Sequence, residues 1–131
     1  MRKLFLLTII TLTTISAFAQ STSDTPNQNI STDSNVEYRL FATKNMYTFL
    51  KLNTRNGQIQ QVQWNTENEK RFETTLSDIS LVNKEEEKNG RFFLYSTTNI
   101  YNFIMLDQID GRAWQVQWSI EEKNRAVIRI Y

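Results

Sequence analysis

Aromatic rings beside primary amides are the side chains of this chain whose types and spacing could do chemistry. Residues 61–64 read Gln-Val-Gln-Trp, two rings precede them at Tyr47 and Phe49, and the same set recurs 54 positions later. Rings stack on the apolar faces of sugars, and amides can hydrogen-bond hydroxyl groups. The candidate ligand-binding residues are therefore Tyr47, Phe49, Gln61, Gln63, Tyr101, Phe103, Gln115 and Gln117, together with Trp114.

The recurrence extends beyond these residues, so the chain holds two copies of one structural unit of about 40 residues. Repeat 1 covers residues 37–76 and repeat 2 covers residues 91–131, with a loop over 77–90 between them. Identical residues at the offset of 54 include the pairs Leu40 and Leu94, Leu52 and Leu106, Gly57 and Gly111, and Arg71 and Arg125.

Alternation of apolar and polar residues with a period of two, without a helical stripe, predicts an all-β domain. Each repeat is rich in the aromatic and β-branched residues that suit strands, and each predicts four short strands in an antiparallel meander. The predicted strands are 38–43, 46–53, 58–64 and 71–76 in repeat 1, and 91–97, 100–107, 112–118 and 125–131 in repeat 2.

The turn between the second and third strands of each repeat is the most specific local pattern. It runs from Asn53 to Gly57 and again from Asp107 to Gly111. An Asx side chain starts such a turn by accepting a backbone N–H, and glycine supplies a residue with positive φ. A calcium loop is the alternative, but repeat 1 has Asn at both Asx positions and further acidic ligands are missing.

The two loop geometries considered for this hairpin place the same residues on each face. One face is predicted to be the core and carries Leu50, Leu52, Val62, Trp64, Ile104, Leu106, Val116 and Trp118. The paired candidate residues share the other face. Three interpretations of that face stay open. It forms a buried layer whose amides pair with backbone or across a pseudo-twofold axis, an oligomer interface, or a ligand platform.

Trp114 differs from the other candidate residues because its repeat mate is Gln60. A large ring present in only one copy predicts either asymmetric filling of the core or a functional addition.

The N-terminal 19 residues are predicted to be a cleavable signal peptide. Arg2 and Lys3 precede a short apolar stretch, and residues 17–19 (Ala-Phe-Ala) form the small-x-small cleavage pattern. The polar residues 20–36 are predicted to be a flexible tether. The chain is therefore expected to be exported to the periplasm or the outside of the cell, without stable membrane insertion after cleavage.

Composition excludes several classes of function. The chain has no His and no Cys, so Ser–His and Cys–His nucleophile pairs are ruled out and the commonest metal ligands are missing. Without Arg2 and Lys3, 13 basic side chains face 14 acidic ones, which gives no basic excess for nucleic acid. No carboxylate lies in an apolar context that would suit acid catalysis. The sequence predicts no enzyme, no cofactor and no metal site.

The hairpin of repeat 2 reads Leu106-Asp-x-x-x-Gly111-x-x-Trp114, and that of repeat 1 matches it through Leu52 and Gly57 but carries Gln60 instead of Trp. This element resembles the strand–turn–strand element of quinoprotein-type β-propeller blades over about nine residues in each repeat. The resemblance carries no cofactor site with it.

Two blades cannot close a propeller ring, which needs about four to eight. The eight strands therefore form either one pseudo-symmetric sandwich or barrel, or two blades completed by oligomerisation, such as three chains in a six-bladed ring. Apolar residues on both faces of strand 91–97 favour the single-chain answer.

Together these features predict an exported, non-enzymatic binding module whose ligand is a glycan or a cell-envelope protein. The alternative is a structural or assembly protein in which the face of rings and amides is a homo-oligomer contact.

Overall fold

A computed structural model describes residues 33–131 of the chain. The predicted signal peptide and residues 20–32 of the predicted tether lie outside the described residues. The described part contains two four-stranded antiparallel sheets in tandem and no α-helix. The sheets pack face to face and are not closed into a barrel, so the all-β prediction with two tandem repeats is confirmed.

Each sheet is a meander in which neighbouring strands follow one another in the chain. Sheet 1 consists of β1 (Tyr38–Ala42), β2 (Thr48–Asn53), β3 (Ile59–Gln63) and β4 (Phe72–Ser77). Sheet 2 consists of β5 (Phe92–Ser96), β6 (Asn102–Asp107), β7 (Ala113–Gln117) and β8 (Ala126–Arg129). All eight strands agree with the predicted spans to within two residues at each end. Short 3₁₀ turns occur at 68–70, 84–86 and 122–124.

The predicted Asx turns are confirmed, and their length decides the register of the hairpins. Asn53 accepts the backbone N–H of Arg55 at 3.0 Å, Asp107 accepts that of Ile109 at 3.0 Å, and Gly57 and Gly111 have φ of 83° and 80°. The N–H of each glycine donates to the carbonyl four residues earlier. Residues 54–57 and 108–111 are therefore four-residue loops.

This loop length makes the predicted grouping of faces wrong. Leu50 lies opposite Gln61, and Phe49 lies opposite Val62. Directly opposed residues share a face, and a register shift of one residue moves every side chain of a strand to the other face. The rings and the amides, expected side by side, therefore lie on opposite faces in both repeats.

The two sheets bury opposite faces of the same repeat unit. The burial alternation of β2 begins with a buried Thr48, whereas β6 begins with a half-buried Asn102 and buries its next residue, Phe103. The strands β1 and β5, and β3 and β7, are out of phase in the same way. Sheet 1 and sheet 2 therefore stack head to tail like successive blades, and the pseudo-twofold arrangement considered from the sequence does not occur.

One hydrophobic core lies between the sheets. The face that sheet 1 contributes to this core is called its inner face, and the opposite side is its outer face. Sheet 2 contributes the face whose equivalent residues, one repeat earlier, lie on the outer face of sheet 1. The buried apolar residues are Phe41, Leu50, Leu52, Ile59, Phe92, Leu94, Phe103, Met105, Trp114, Val116 and Trp118.

Strand β5 is buried on one face and partly covered on the other, where Phe93 packs against Phe41 and Arg39 of sheet 1. The argument that both of its faces lie between layers therefore holds for Phe93 and fails for Tyr95. Phe92 and Leu94 are buried, but Phe93 is half-buried and Tyr95 is 47 % exposed. Residues 33–131 thus leave the rest of that face of sheet 2 uncovered.

The segment before β1 and the loop between the repeats are both bound to this sandwich. Arg39 donates to the carbonyl of Asp33 at 2.6 Å, and Asn89 of the loop donates to that of Asn35 at 2.9 Å. Leu81 packs partly buried against the core, and its N–H donates to the carbonyl of Asn56. Residues 33–36, predicted as part of the tether, therefore belong to the folded domain.

Candidate functional site

The four glutamines of the repeated motif have different environments. Gln63 and Gln117 donate to the carbonyls of Lys70 and Asn124 at 3.0 and 2.8 Å, in the 3₁₀ turns that follow their own strands. Because this bond is the same in both repeats and is local, folding of the repeat explains these two amides.

Gln61 has a different role, because it joins the two sheets. Its side chain is 2 % exposed, its Nε2 donates to the carbonyl of Ser119 at 3.0 Å, and its Oε1 accepts the N–H of Ser119 at 3.1 Å. A buried amide is stable only when its polar atoms are paired, and this clamp pairs both. Ser119 directly follows Trp118, so the clamp locks the end of β7 onto sheet 1.

Gln115 is the repeat mate of Gln61 but lies exposed on the outer side of sheet 2. Its Nε2 donates to the side-chain oxygen of Asn102 at 3.0 Å. The repeat mate of Ser119 is Asn65, which follows Trp64 at the edge of sheet 1. Gln115 therefore has the position of the Gln61 clamp, but among the described residues no second sheet lies against it.

The repeated tryptophan differs between the copies in the same way, since it is buried in repeat 2 and partly exposed in repeat 1. Trp118 is 2 % exposed, lies 5.2 Å from the ring of Tyr101, and donates its indole N–H to the carbonyl of Ile100. Trp64 makes the equivalent ring contact at 5.3 Å with Tyr47 and the equivalent hydrogen bond, yet it is 42 % exposed. The two sites differ because sheet 1 covers the first and nothing in residues 33–131 covers the second.

Two sheet faces are thus left uncovered by the described chain. The outer face of sheet 1 is the side of that sheet that carries the rings of Tyr47 and Trp64. It is built from Tyr38, Leu40, Tyr47, Phe49, Lys51, Gln60, Val62, Trp64, Glu73 and Thr75. The outer face of sheet 2 is the side that carries Gln115, and it is built from Phe93, Tyr95, Asn102, Ile104, Leu106, Ala113, Gln115, Gln117 and Ile128.

Each outer face carries exposed apolar side chains on neighbouring strands, and on sheet 1 they lie beside the Lys51–Glu73 ion pair. On sheet 1, Tyr38 and Leu40 are 54 % and 51 % exposed, and on sheet 2, Tyr95 and Ile128 are 47 % and 56 % exposed. Scattered apolar side chains are common on protein surfaces, but contiguous apolar patches indicate a binding surface.

The predicted ligand-binding residues are therefore not brought together. Phe103, Gln61 and Trp114 are buried in or beside the core, at 4 %, 2 % and 5 % exposure. Tyr47 and Phe49 lie on the outer face of sheet 1. Gln115 and Gln117 lie on the outer face of sheet 2. Gln63 faces inward with Gln61, and Tyr101, 46 % exposed, lies at the margin of the inner face of sheet 2.

Trp114 fills the core of sheet 2, which agrees with the first of its two interpretations. Its ring centroid lies 5.9 Å from that of Phe92, and the guanidinium groups of Arg112 and Arg129 both lie 5.4 Å from it. Gln60 takes its place on sheet 1 and leaves a shallow hollow there. The hollow has a volume of about 120 Å³ and is lined by Tyr38, Lys51, Asn53, Gln58, Gln60, Thr75, Ser77 and Asp78.

The charged cluster at the turn of repeat 2 is the strongest electrostatic feature. Asp107 is fully buried and accepts bonds from the Nε and terminal nitrogen of Arg91 at about 2.9 Å. Burial alone would raise the pKa of Asp107, but the hydrogen bonds from Arg91 and from the N–H groups of Ile109 and Asp110 outweigh it and lower that pKa. The hydrogen bond to Asp107 in turn raises the pKa of Arg91.

This cluster holds the turn to the body of the sheet and leaves little capacity for other chemistry. Arg91 also donates to the carbonyl of Glu86, and Arg112 contacts both Asp107 and Asp110. The carboxylates considered for a calcium loop are thus bound by arginines. Residues 33–131 hold no group of three or more acidic side chains placed to bind a metal ion.

Within residues 33–131 there is no helix long and apolar enough to cross a bilayer. Comparison of the chain with protein-family models, with curated proteins and with solved structures gives no match. The quinoprotein-type resemblance of the hairpins therefore stays a prediction.

Sequence reasoning did not identify the outer face of sheet 2 as a separate surface. Its members Phe93, Tyr95 and Ile104 alternate with buried residues along β5 and β6, and Ile128 lies on β8 beside Gln115. The available signal was that strand 91–97 is apolar on both sides, which indicated a second apolar surface beside the core face.

Proposed function

We propose that this chain is an exported, non-enzymatic binding module that binds a protein of the cell envelope through its outer sheet faces. The observation that carries the proposal is the uncovered pair of apolar faces, which include Leu40 and Trp64 on sheet 1 and Tyr95 and Ile128 on sheet 2. Extended apolar surface with aromatic side chains is typical of the centre of protein–protein interfaces.

Two further features support this proposal. Residues 1–19 have the pattern of a signal peptide, which would carry the module into the envelope. The chain has no His or Cys, and the most strongly buried carboxylate, Asp107, is held in structural bonds to Arg91. The charged groups of this cluster therefore stabilise the turn of repeat 2, and the surface that remains for a partner lies on the sheet faces.

The test is capture of a partner by the purified full-length product and by matched variants. The wild type and a Leu40→Glu, Tyr95→Glu variant are immobilised and exposed to an envelope extract of the source cell. We expect at least one protein to be retained by the wild type and lost from the variant. Ile109→Glu, at an exposed turn away from both faces, serves as the control. Equal retention of envelope proteins by the wild type, the double variant and the Ile109→Glu control would refute the proposal.

Export is tested separately. The full-length chain carrying a C-terminal tag is expressed, the cells are fractionated, and the N-terminus of the product is determined by mass spectrometry. We expect a product that begins at Gln20 in the periplasmic or extracellular fraction. An intact N-terminus on a cytosolic product would contradict this part of the proposal.

A glycan is the second candidate ligand, and the hollow on sheet 1 favours it. Tyr38 offers an exposed ring beside the amides of Gln58 and Gln60 and the hydroxyl of Thr75. Such a combination suits stacking on a sugar together with hydrogen bonds to its hydroxyls. Glycan-array binding that is lost in both Tyr38→Ala and Gln60→Ala, and kept in Ile109→Glu, would establish this candidate. A blank array would eliminate it.

A further inference from the structure

We infer that the envelope protein bound by the outer faces is a second copy of this chain. In this arrangement the outer face of sheet 1 in one copy packs on the outer face of sheet 2 in the next, head to tail. This inference rests on the proposed function, because it names the partner of the same surfaces. The supporting observation is that the two outer faces are equivalent, by the repeat, to the two inner faces that pack against each other.

The first step is the equivalence of the faces. The contact inside the chain joins the inner face of sheet 1, with Leu50, Leu52 and Gln61, to the inner face of sheet 2, with Leu94, Val116 and Trp118. Shifted by one repeat, the first set becomes Ile104, Leu106 and Gln115 on the outer face of sheet 2. The second set becomes Leu40, Val62 and Trp64 on the outer face of sheet 1. The two free faces are therefore the two halves of an interface that the chain already contains.

The second step is the identity of the residues. Leu94, Phe103, Val116 and Trp118 are buried in the existing interface and have identical mates on the outer face of sheet 1, which are Leu40, Phe49, Val62 and Trp64. Gln61 and Leu52 likewise have identical mates on the outer face of sheet 2. At the other end of the face, where the hollow lies, the copies differ, with Gln60 and Lys51 in place of Trp114 and Met105. The residues that the repeats share thus form the end of the contact that carries the glutamine clamp, whereas the end that carries Trp114 and Met105 is not repeated.

The third step is the polar clamp. Gln61 binds both backbone polar groups of Ser119 and is fully satisfied by them. Its mate Gln115 and the mate of Ser119, Asn65, stand on the two free faces. In a second copy stacked in the same way, Gln115 reaches the backbone of Asn65 with the geometry already seen inside the chain. This contact also fixes the register of the partner, which apolar packing alone does not do.

A contact between two different faces of the same chain is heterologous, so it adds copies until the rotation closes a ring or continues as a filament. Each chain supplies two sheets. Rings of about two to four chains would contain the four to eight sheets that propellers use. The hollow on sheet 1 lies on the face that a second copy covers, so glycan binding there would compete with self-assembly.

The test uses two variants of the full-length product, each damaged on one face. Leu40→Glu places a charge on the outer face of sheet 1, and Tyr95→Glu places one on the outer face of sheet 2. Both wild-type side chains are about half exposed, so neither change touches the core. Circular dichroism and thermal unfolding check that each variant remains folded. Mass is measured by light scattering at tens of micromolar concentration.

We expect the wild type and Ile109→Glu to be oligomeric and each damaged variant alone to be monomeric, with self-association weakened about tenfold or more. An equimolar mixture of the two variants restores one intact contact and gives a 1:1 heterodimer. A monomeric wild type overturns the inference. This is the result expected if another segment of the same chain, or a foreign protein, covers these faces. Damaged variants that keep the wild-type mass, or a mixture that remains monomeric, overturn it as well.

A second measurement does not depend on weakening the contact. The chain has no cysteine, so Asn65→Cys and Gln115→Cys introduce the only thiols of their chains. Under mild oxidation we expect a mixture of these two variants to form a crosslinked heterodimer much faster than either variant forms a homodimer. A mixture of Asn65→Cys with Gln108→Cys, at an exposed turn, is the control. Equal rates in the two mixtures would overturn the proposed register.

Failure of this inference and failure of the proposed function give different results. A monomeric wild type that still captures a foreign envelope protein through Leu40 and Tyr95 removes the second copy as partner and leaves the binding module intact. A monomeric wild type that captures nothing removes both.

Discussion

Trp64 and Trp118 occupy the same position in two copies of one unit and end in opposite environments. Each ring packs on a tyrosine at 5.3 or 5.2 Å and donates to a carbonyl 18 residues earlier in the chain. Trp118 is covered because sheet 1 lies on it, whereas nothing in the part of the chain that the structure describes covers Trp64 on the equivalent side of sheet 1. Local structure is therefore set within the repeat, and burial is set by the order of the repeats in the stack.

The comparison predicts unequal effects of one substitution at the two sites. Trp118→Ala removes a buried ring and should lower the free energy of unfolding by about 3–5 kcal/mol. Trp64→Ala removes a half-exposed ring and should cost much less, about 1 kcal/mol in the isolated chain. Urea denaturation of both variants at a concentration where the protein is monomeric measures the difference. Equal losses would show that the outer face of sheet 1 is covered.

The turns of the two repeats give a second contrast, between Asp107 and its mate Asn53. Asp107→Asn leaves the buried guanidinium of Arg91 with only the longer contact to Asp110, at 3.4 Å, and breaking a buried pair costs up to about 3–5 kcal/mol. Because the pKa of Asp107 is lowered in the folded state, the unfolded state binds more protons in acid, and this contribution falls as the pH drops below about 4.

Unfolding measured between pH 7 and pH 3 should therefore show the gap between wild type and Asp107→Asn shrinking in acid. Glu73→Gln, which removes the exposed partner of Lys51, serves as the control and should change stability little at any pH. A gap that is independent of pH would contradict the assigned ionisation of Asp107.

The glutamine clamp provides a smaller contrast. Gln61→Ala leaves the N–H and the carbonyl of Ser119 with fewer partners between the sheets and should cost about 1–3 kcal/mol. Gln115→Ala loses a single exposed bond to Asn102 and should change the stability of the monomer by less than about 0.5 kcal/mol. Thermal unfolding of the two variants decides the point, and similar losses would mean that Gln115 is also clamped.

The smallest difference between the two repeats is expected at the turn glycines. Both have positive φ, so an alanine is strained at either site by about 1 kcal/mol or somewhat more. At Gly57 the new Cβ would also lie 2.8 Å from a methyl group of Leu81, whereas at Gly111 it would meet nothing within 4 Å. Gly57→Ala should therefore be the more destabilising of the two in urea titrations. The reverse order would show that Leu81 yields without cost.

Much of the fold could be predicted because its signals are local. Strand positions follow from a period of two, and the Asx–Gly turns follow from side chains that bond to the backbone within two residues. The faces could not be assigned, because loops of three, four and five residues satisfy the same turn chemistry. The four-residue loop at 54–57 changes which side chains of β3 share a face with Leu50. This shift of one residue in register places the rings and the amides on opposite faces.

The sequence did not predict the arrangement of the candidate residues. Tyr47, Phe49 and Gln115 do lie on exposed faces, but on different sheets. Gln61 is explained by its hydrogen bonds to the other sheet, and Trp114 by its burial in the core between the sheets. A pattern within one repeat cannot predict either. Trp118 and Trp64 illustrate the same limit, since identical neighbours in the sequence give them opposite exposure.

The sequence by itself determined the strands, the turns and the repetition of one unit, because each depends on interactions within about 40 residues. It also placed apolar side chains on both faces of every sheet. Only the tertiary structure decided which of those faces is covered. A sheet in a head-to-tail stack covers one face of its neighbour, so the burial of each residue depends on which sheet lies beside it and not on the strand that carries it.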